Sequence, residues 1–464
     1  MKVLRSILLL LFLWPSFLWA QESNFIILRK IFLHGNTRTK DRIILRELDI
    51  QAGDTIRITQ SDSILKINRN RIYNTRLFNE VKLMLLPDSG QYKSLLIEVT
   101  ERWYIFPIPI FELADRNFNE WWYNQDRKLN RINYGIRFAD KNFRGRKEEL
   151  RLTLQGGFTT KLGLGYTIPY LNKKQTLGLD IETNYDQNKQ VSFQTFENKQ
   201  VFIKDKELMR ERLRLGLTVF LRKSFFGTHS FGLKYTDTRV ADTVVKLNPN
   251  YFNKGVNNQR FMQLGYNFNF DKRDVRAYAQ KGYLVDINIT QNGLLQSDAI
   301  HYASFDLAFA QYKALGHNFY FASLTKGKIY TSANVPYYNI RGLGYDQDYV
   351  RGYDLYVIDA QNFALQRFTL RKKLLEKEII ASSFLPIKQF SKVPFAIYLN
   401  TYYDLAYAYT ASAFPGNKYL SNEMLRGGGV GIDVVTYYDS VIRFEYSINK
   451  MLENRIYLAF TQDI

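Results

Sequence analysis

The chain of 464 residues contains no cysteine. That excludes a disulfide scaffold, a cysteine-ligated zinc site and a lipoprotein anchor. Histidine is nearly as scarce: His34, His229, His301 and His317 stand at none of the spacings that hold a metal ion or build a nucleophilic triad, so turn and surface roles are expected of them. Long apolar runs are also missing beyond residue 20, and the mean hydropathy of -0.30 has the look of a water-soluble chain. The lack of such runs argues against a membrane helix beyond residue 20, and the average does not speak against a membrane barrel, whose strands place lipid-facing residues at every second position so that any window cancels them. "RGGGVGID" (residues 426–433) has the glycines of a phosphate loop without a helical pattern after it, and glycines within a strand mark a bend or a close approach. Neither an enzyme nor a cofactor is implied.

Aromatic residues, by contrast, make up 16% of the chain, with 33 Tyr and 34 Phe, and the formal net charge is +20. The first twenty residues have the layout of an export signal: Lys2 and Arg5 at the start, an apolar stretch from Ile7 to Leu18, and Ala20 as the cleavage position. An N-terminal membrane anchor is the alternative, but the run is shorter than the ~20 residues a spanning helix needs. In an exported protein the positive charge points to lipid phosphates or a charged lumen before nucleic acid. The basic runs "KNFRGRK" and "RKKLLEK" lack platforms for stacked bases.

Residues 24–101 read as a small α+β module. "FIILRKIFL" is strand-like, Thr39 is placed to cap a helix carrying Ile43, Ile44 and Leu48, and a second helix begins near Ser61 with Ile64, Leu65, Asn68 and Ile72 on one face. "LFNEVKLML" and "SLLIEVTER" close the unit as strands.

From residue 102 to 464 the period changes to two. In "RINYGIRF", Ile132, Tyr134, Ile136 and Phe138 oppose Arg131, Asn133 and Arg137; "RLRLGLTV" and "YLVDINIT" repeat the pattern. Charges in mid-strand on the non-apolar face suit a sheet with lipid outside and water inside, closed because open edges cannot exist in hydrocarbon. The length accommodates roughly sixteen antiparallel strands.

The module resembles a POTRA domain, the periplasmic unit of the outer-membrane assembly and translocation pores of the BamA/TamA type. The resemblance rests on "GNTRT" with Gly35 and Asn36, "LREL", "GD" at Gly53 and Asp54, "NTRLFNEV" with Leu77, Phe78 and Val81, and "VTER". "GIRFADKNFRGRKEELRL" and "FDKRDVRAYAQKGYLVDINI" are similar to hairpins of the same family's barrels. The resemblance implies an α+β POTRA domain followed by an all-β transmembrane barrel in the bacterial outer membrane, with the module in the periplasm.

It implies partners too: outer-membrane lipids, unfolded or extended client proteins, and other envelope assembly factors. A client would add as a strand to an exposed sheet edge, with the 93–101 strand as the place to trap it; an inert spacer is the alternative role. A two-partner secretion pore, a passive channel and a structural or adhesive surface barrel remain open as functions.

"VRGYD" is similar to the VRGF/Y motif of that family's sixth extracellular loop, which folds back into the barrel. Val350, Arg351, Gly352 and Tyr353 form it here. A buried guanidinium needs a carboxylate. In "FAIYLNTYYDLAYAY" the alternation of Phe395, Ile397, Leu399, Leu405 and Tyr407 places Asp404 on the lumenal face, and the resemblance pairs it with Arg351. Asp348 or Asp354, in a solvated loop, is the alternative partner. On the strand after the loop, Gln366 or Thr369 stands where relatives often carry an acid, which leaves a second carboxylate contact in doubt.

Overall fold

A computed structural model describes residues 25–380, 392–411, 419–436 and 440–461; the expected export signal, residues 1–20, lies outside the described residues. The first sheet joins β1 (Phe25–His34), β2 (Thr55–Arg57), β3 (Phe78–Pro87) and β4 (Tyr92–Glu101) in the order β2-β1-β4-β3. Two helices, α1 (Asp41–Leu45) and α2 (Ile58–Tyr73), accompany it. Leu28, Ile43, Ile44, Ile72, Leu95 and Ile97 fill the core between helices and sheet, each with almost no exposed surface. Alternation in β4 and helical spacing in α2 therefore bury one face of each element.

Two local expectations are overturned here. Thr39 does not cap α1: Lys40 holds the capping position, and the Thr39 hydroxyl instead pairs with the Tyr104 hydroxyl at 3.0 Å and accepts from Asn142 at 2.9 Å. The strand at 93–101 is not an edge, because β4 runs between β1 and β3, parallel to the first and antiparallel to the second. Among the described residues, the long edge without a strand partner is that of β3.

The second sheet has sixteen antiparallel strands. It opens with β5 (Ile105–Leu113). A short helix, α3 (Phe118–Tyr123), then precedes β6 (Ile132–Phe143), β7 (Glu148–Gly157), β8 (Thr159–Ile168) and β9 (Leu177–Asn188). A separate hairpin, β10 (Gln190–Phe196) with β11 (Lys199–Lys204), interrupts the sheet. The sheet resumes with β12 (Arg210–Leu221) and β13 (Gly227–Val240), and after α4 (Asp242–Leu247) continues through β14 (Asn258–Asp271), β15 (Gly282–Asn292), β16 (Tyr302–Gly316) and β17 (Phe319–Tyr330). Its last strands are β18 (Asn362–Ile380), β19 (Lys392–Tyr409), β20 (Met424–Thr436), β21 (Ser440–Asn449) and β22 (Asn454–Thr461). β5 and β22 are the two ends of this order.

Outward positions are the apolar ones. Tyr134, Ile136, Leu215, Leu217, Ile289, Leu399, Tyr403 and Tyr407 are exposed, while Tyr398, Asn400, Tyr402 and Asp404 on the opposite face of β19 are buried. An apolar outer face and a polar interior are what a lipid-embedded barrel requires.

Candidate functional site

The connection from β17 to β18, residues 331–361, is the longest stretch between neighbouring strands of the barrel, and it folds inward. Val350, Tyr353, Leu343, Ile358 and Ala360 in it pack against Ala406, Ala408 and Leu425 of the wall. Gly352 turns the chain with φ +92°, a conformation that costs a residue bearing a Cβ. The Tyr353 hydroxyl donates to the Arg426 carbonyl at 3.2 Å.

This turn carries Arg351 onto the inner wall. Its backbone N–H and Nε both donate to Asp404 Oδ2, at 3.0 and 2.9 Å, and Nη2 donates to Oδ1 at 2.6 Å. Nη2 also reaches the Thr369 hydroxyl at 3.1 Å, and the guanidinium lies over the Tyr402 ring at 4.0 Å. The side chains of Arg351 and Asp404 retain 3% and 0% of their surface, so the pair is dry and water contributes little screening. Asp348 binds Lys326 instead, at 2.7 Å, and Asp354 accepts from the Gly352 N–H at 3.2 Å.

A second carboxylate is present, from an unexpected strand: Glu445 of β21 stands 3.7 Å from Arg351 Nη1. Gln366 turns to Ser323 and Thr325, leaving Thr369 to face the arginine. Behind Glu445 the charges continue, with Arg443 donating to Asp433 at 2.8 Å and Asp433 accepting from the Tyr278 hydroxyl at 2.7 Å. Sequence reading passed over Glu445; the alternation in "SVIRFEYSIN" was the available signal that it shares a strand face with Arg443, but which loop that face meets is set by barrel closure and is invisible locally. Gly427, in the triple glycine, matters for the same reason. A Cβ there would lie 1.9 Å from the Arg351 carbonyl oxygen, so the glycine makes room for the loop's backbone.

The module residues form a second group. Asn36 donates to the Thr39 carbonyl and to Asp41, Gly35 and Gly53 sit in turns, and Asp54 accepts from the Gln51 N–H at 2.7 Å. Leu77, Phe78 and Val81 are core residues of the module, not contact residues.

Among the contacts that join the module to the barrel is Glu47, buried just after α1. Arg222, in the turn after β12, donates to both its oxygens at 2.7 and 3.0 Å, and Arg46 reaches the carbonyls of Gln175 and Arg222. Nearby, Arg38 pairs with Asp140 at 2.6 Å, and Arg71 of α2 lies 4.1 Å over the Phe225 ring. Burial pushes the Glu47 carboxyl up, but the Arg222 hydrogen bonds and charge, with Lys147 and Arg46 beside it, hold it below its ordinary 4.5. Lys147, in the turn after β6, is pushed down to about 8 by burial and by the neighbouring arginines.

Residues 26–102 match the POTRA family, described as a surface antigen variable number repeat, and residues 142–363 match the Omp85 superfamily domain. The chain thus carries an Omp85 superfamily domain behind a POTRA module. No curated protein matches it by sequence. Among solved structures, BamA from Haemophilus ducreyi lacking POTRA domains 1-3 is similar, with TM-score 0.54 and 15% identity over 94% of this chain and 84% of that one. CdiB from Escherichia coli gives TM-score 0.53 and 10% identity over 97% of this chain and 92% of that one. At such identities the likeness is one of fold. An Omp85 barrel carrying a POTRA module is a protein of the bacterial outer membrane.

Proposed function

We propose that this Omp85 protein receives an extended client polypeptide at its POTRA module in the periplasm and inserts it into the outer membrane or passes it outward. The supporting division of the chain is an export signal at 1–20, the POTRA module at 24–101 and the lipid-embedded barrel at 102–464. The observation that supports this reading is that, among the described residues, no strand pairs with the outer edge of β3, on a module fastened to the turn end of the barrel by Glu47 and Arg222 among other contacts. An unpaired edge supplies a row of backbone donors and acceptors, which an unfolded segment satisfies by adding as a strand. No nucleotide, cofactor or covalent step is needed: the driving free energy is the client's own burial and hydrogen bonding. Arg351 and Asp404 serve in this reading as the lock of the inner loop, with Val350, Gly352 and Tyr353 shaping its seat.

A passive diffusion channel is the second reading, and the inner loop speaks against it, since residues 331–361 occupy lumen that a channel would leave to water. Photocrosslinkers at Lys82 and Met84, both exposed on β3, test the proposal. Expected are adducts with precursors of outer-membrane proteins in living cells, at yields well above those from Asp62, exposed on α2. Equal yields from the two faces would overturn the receptor role of the module.

A further inference from the structure

A cavity of about 630 Å³ lies between the module and the turn end of the barrel, of a size that holds a small ligand or a headgroup. Its walls come from α2, from the turn after β6, from the turn after β12 and from the turn between β14 and β15. Seven of its lining residues are lysine or arginine and three are acidic, and the three carboxylates are already engaged. Glu47 accepts from Arg222 at both oxygens and has Arg46 at 3.2 Å. Asp271 is shared by two guanidiniums: Arg273 donates to it through Nε and Nη2 at 2.9 and 3.0 Å, and Arg276 lies at 2.9 Å. Asp274 Oδ1 accepts the backbone N–H groups of Val275, Gln280 and Lys281.

Lys147 and Lys272 are left over. Among the described residues neither ammonium pairs with a carboxylate. Lys147 is held with φ +60°, a left-handed backbone that costs a residue bearing a Cβ and persists only where the surroundings fix it; here the Asn142 side chain accepts its N–H at 2.8 Å. Positive charge gathered in a partly buried space without matching acids costs free energy, which a bound anion offsets. The cavity also opens toward the lipid face. Phe226 lines it and packs against Phe270 with ring centroids 6.1 Å apart, and Phe270 stacks on Tyr283 at 5.7 Å. Phe268 and Phe270 share the outer face of β14 with the exposed Leu264, so these rings form an aromatic girdle at the turn end of the barrel, the level at which headgroups lie.

We propose that this cavity binds the phosphate headgroup of an anionic lipid, with Lys147 and Lys272 taking up its charge and the acyl chains laid along Phe226, Phe270 and Tyr283. A zwitterionic headgroup would bring its own cation into a space that already holds a surplus, so the site selects net negative charge. The headgroup sits between α2 of the module and the turns of the barrel and touches both. Neutralising Lys147 removes the repulsion that it shares with Arg222, Arg276 and Arg46, so binding of the lipid and attachment of the module reinforce each other.

The test uses the purified full chain in vesicles of phosphatidylglycerol and phosphatidylcholine in equal amounts. One lipid or the other carries a diazirine near the glycerol end of its chains, and adducts are mapped by mass spectrometry. Adducts on Phe225, Phe226 and Phe270 are expected to favour phosphatidylglycerol. Lys147→Gln and Lys272→Gln should each lower that preference roughly fivefold, the factor that corresponds to about 1 kcal/mol per cation near a charged headgroup, and Lys147→Arg should keep it. Because neither lysine is paired, its removal strands no carboxylate, and the heat-modifiable mobility of the variants should be that of the natural chain. Lys246→Gln, on α4 at the opposite end of the barrel, should leave the preference unchanged. Equal yields from the two lipids, or a preference that survives both glutamine changes together, would overturn the proposal. Protection of Lys147 from acetylation by inorganic phosphate in detergent, with no preference between the lipids, would assign the cavity to free phosphate and overturn the lipid as its ligand. No client takes part, so these outcomes are separable from the crosslinking at β3.

Discussion

Asp404 accepts three hydrogen bonds from the single residue Arg351, one from its backbone and two from its guanidinium. The backbone bond positions the turn and the fork holds the charge, so the carboxylate fixes main chain and side chain together. Removing either partner strands a buried charge, which costs on the order of 3 to 5 kcal/mol. Arg351→Ala and Asp404→Ala are each expected to free the inner loop, seen as new protease cleavage within residues 331–361. The double variant should lose less than the sum of the two. Strictly additive losses in heat-modified mobility would mean that the two residues do not act as a pair. Each partner keeps a second neighbour of opposite charge at 3.7 Å, Glu445 beside Arg351 and Arg367 beside Asp404, so removing Glu445 should sharpen the loss from Asp404→Ala and removing Arg367 that from Arg351→Ala.

Gly427 supplies an independent test of the same seat. Adding a methyl group there drives it against the Arg351 carbonyl oxygen, an approach that no rotamer change relieves because both atoms belong to backbone-fixed positions. Gly427→Ala should therefore unseat the loop with both charges intact, with an overpacking cost of about 1 to 3 kcal/mol. Protease sensitivity equal to that of the natural chain would show that the wall can yield at this point.

The contrast between Arg351 and Glu445 shows what was legible in the sequence. The two architectures were readable because each writes its own period: helical spacing in Ile64, Leu65, Asn68 and Ile72, and alternation in Phe395, Ile397 and Leu399. Asp404 could be assigned to the lumen by that alternation alone. Glu445, Tyr402 and Gly427 could not be assigned to the loop, because their meeting depends on strand register around a closed sheet. The β4 error has the same origin: a strand's sequence tells which faces it buries but not which neighbours it acquires. Thr39 looked like a helix cap and serves an interface, since its hydroxyl found Tyr104 and Asn142 from beyond the module.

Removing residues 25–101 should leave the barrel able to insert. No strand is shared between the two sheets, and the module's core is its own apart from Tyr104 and the partly buried Tyr170. Heat-modifiable mobility of the shortened chain in outer-membrane fractions is the measure, and failure to appear there would show that the module is part of the barrel's folding unit. Delivery of client should fall at least tenfold in the same cells if the module is the receptor, since an effective concentration in the millimolar range is lost with a tethered site.

The Glu47–Arg222 contact makes attachment of the module depend on pH in a stated direction. Glu47 is held below its ordinary 4.5 in the attached state, so it favours attachment above that value and the contribution is lost as pH falls through the lower, attached-state value. Lys147 acts in the opposite limb. Its attached-state value of about 8 lies below the ordinary 10.5, so the protonated form opposes attachment at neutral pH and that opposition fades as pH rises between the two. Attachment should therefore be firm at neutral pH, firmer toward pH 10, and loose in acid. Since the chain has no cysteine, Asp62→Cys and Lys173→Cys give two unique labels, one on α2 and one in the turn after β8, for a distance measurement by spin labelling. A narrow distance distribution at pH 7 should broaden in acid; Glu47→Gln should abolish that acid transition; and Arg222→Ala, which strands the buried carboxylate at a cost of about 3 kcal/mol, should broaden the distribution at every pH above 5. A distribution unchanged by Arg222→Ala would place the attachment elsewhere, with Arg38–Asp140, the stacking of Arg71 on Phe225, Asn142–Thr39 and Asn74–Asp274 among the contacts left to hold it.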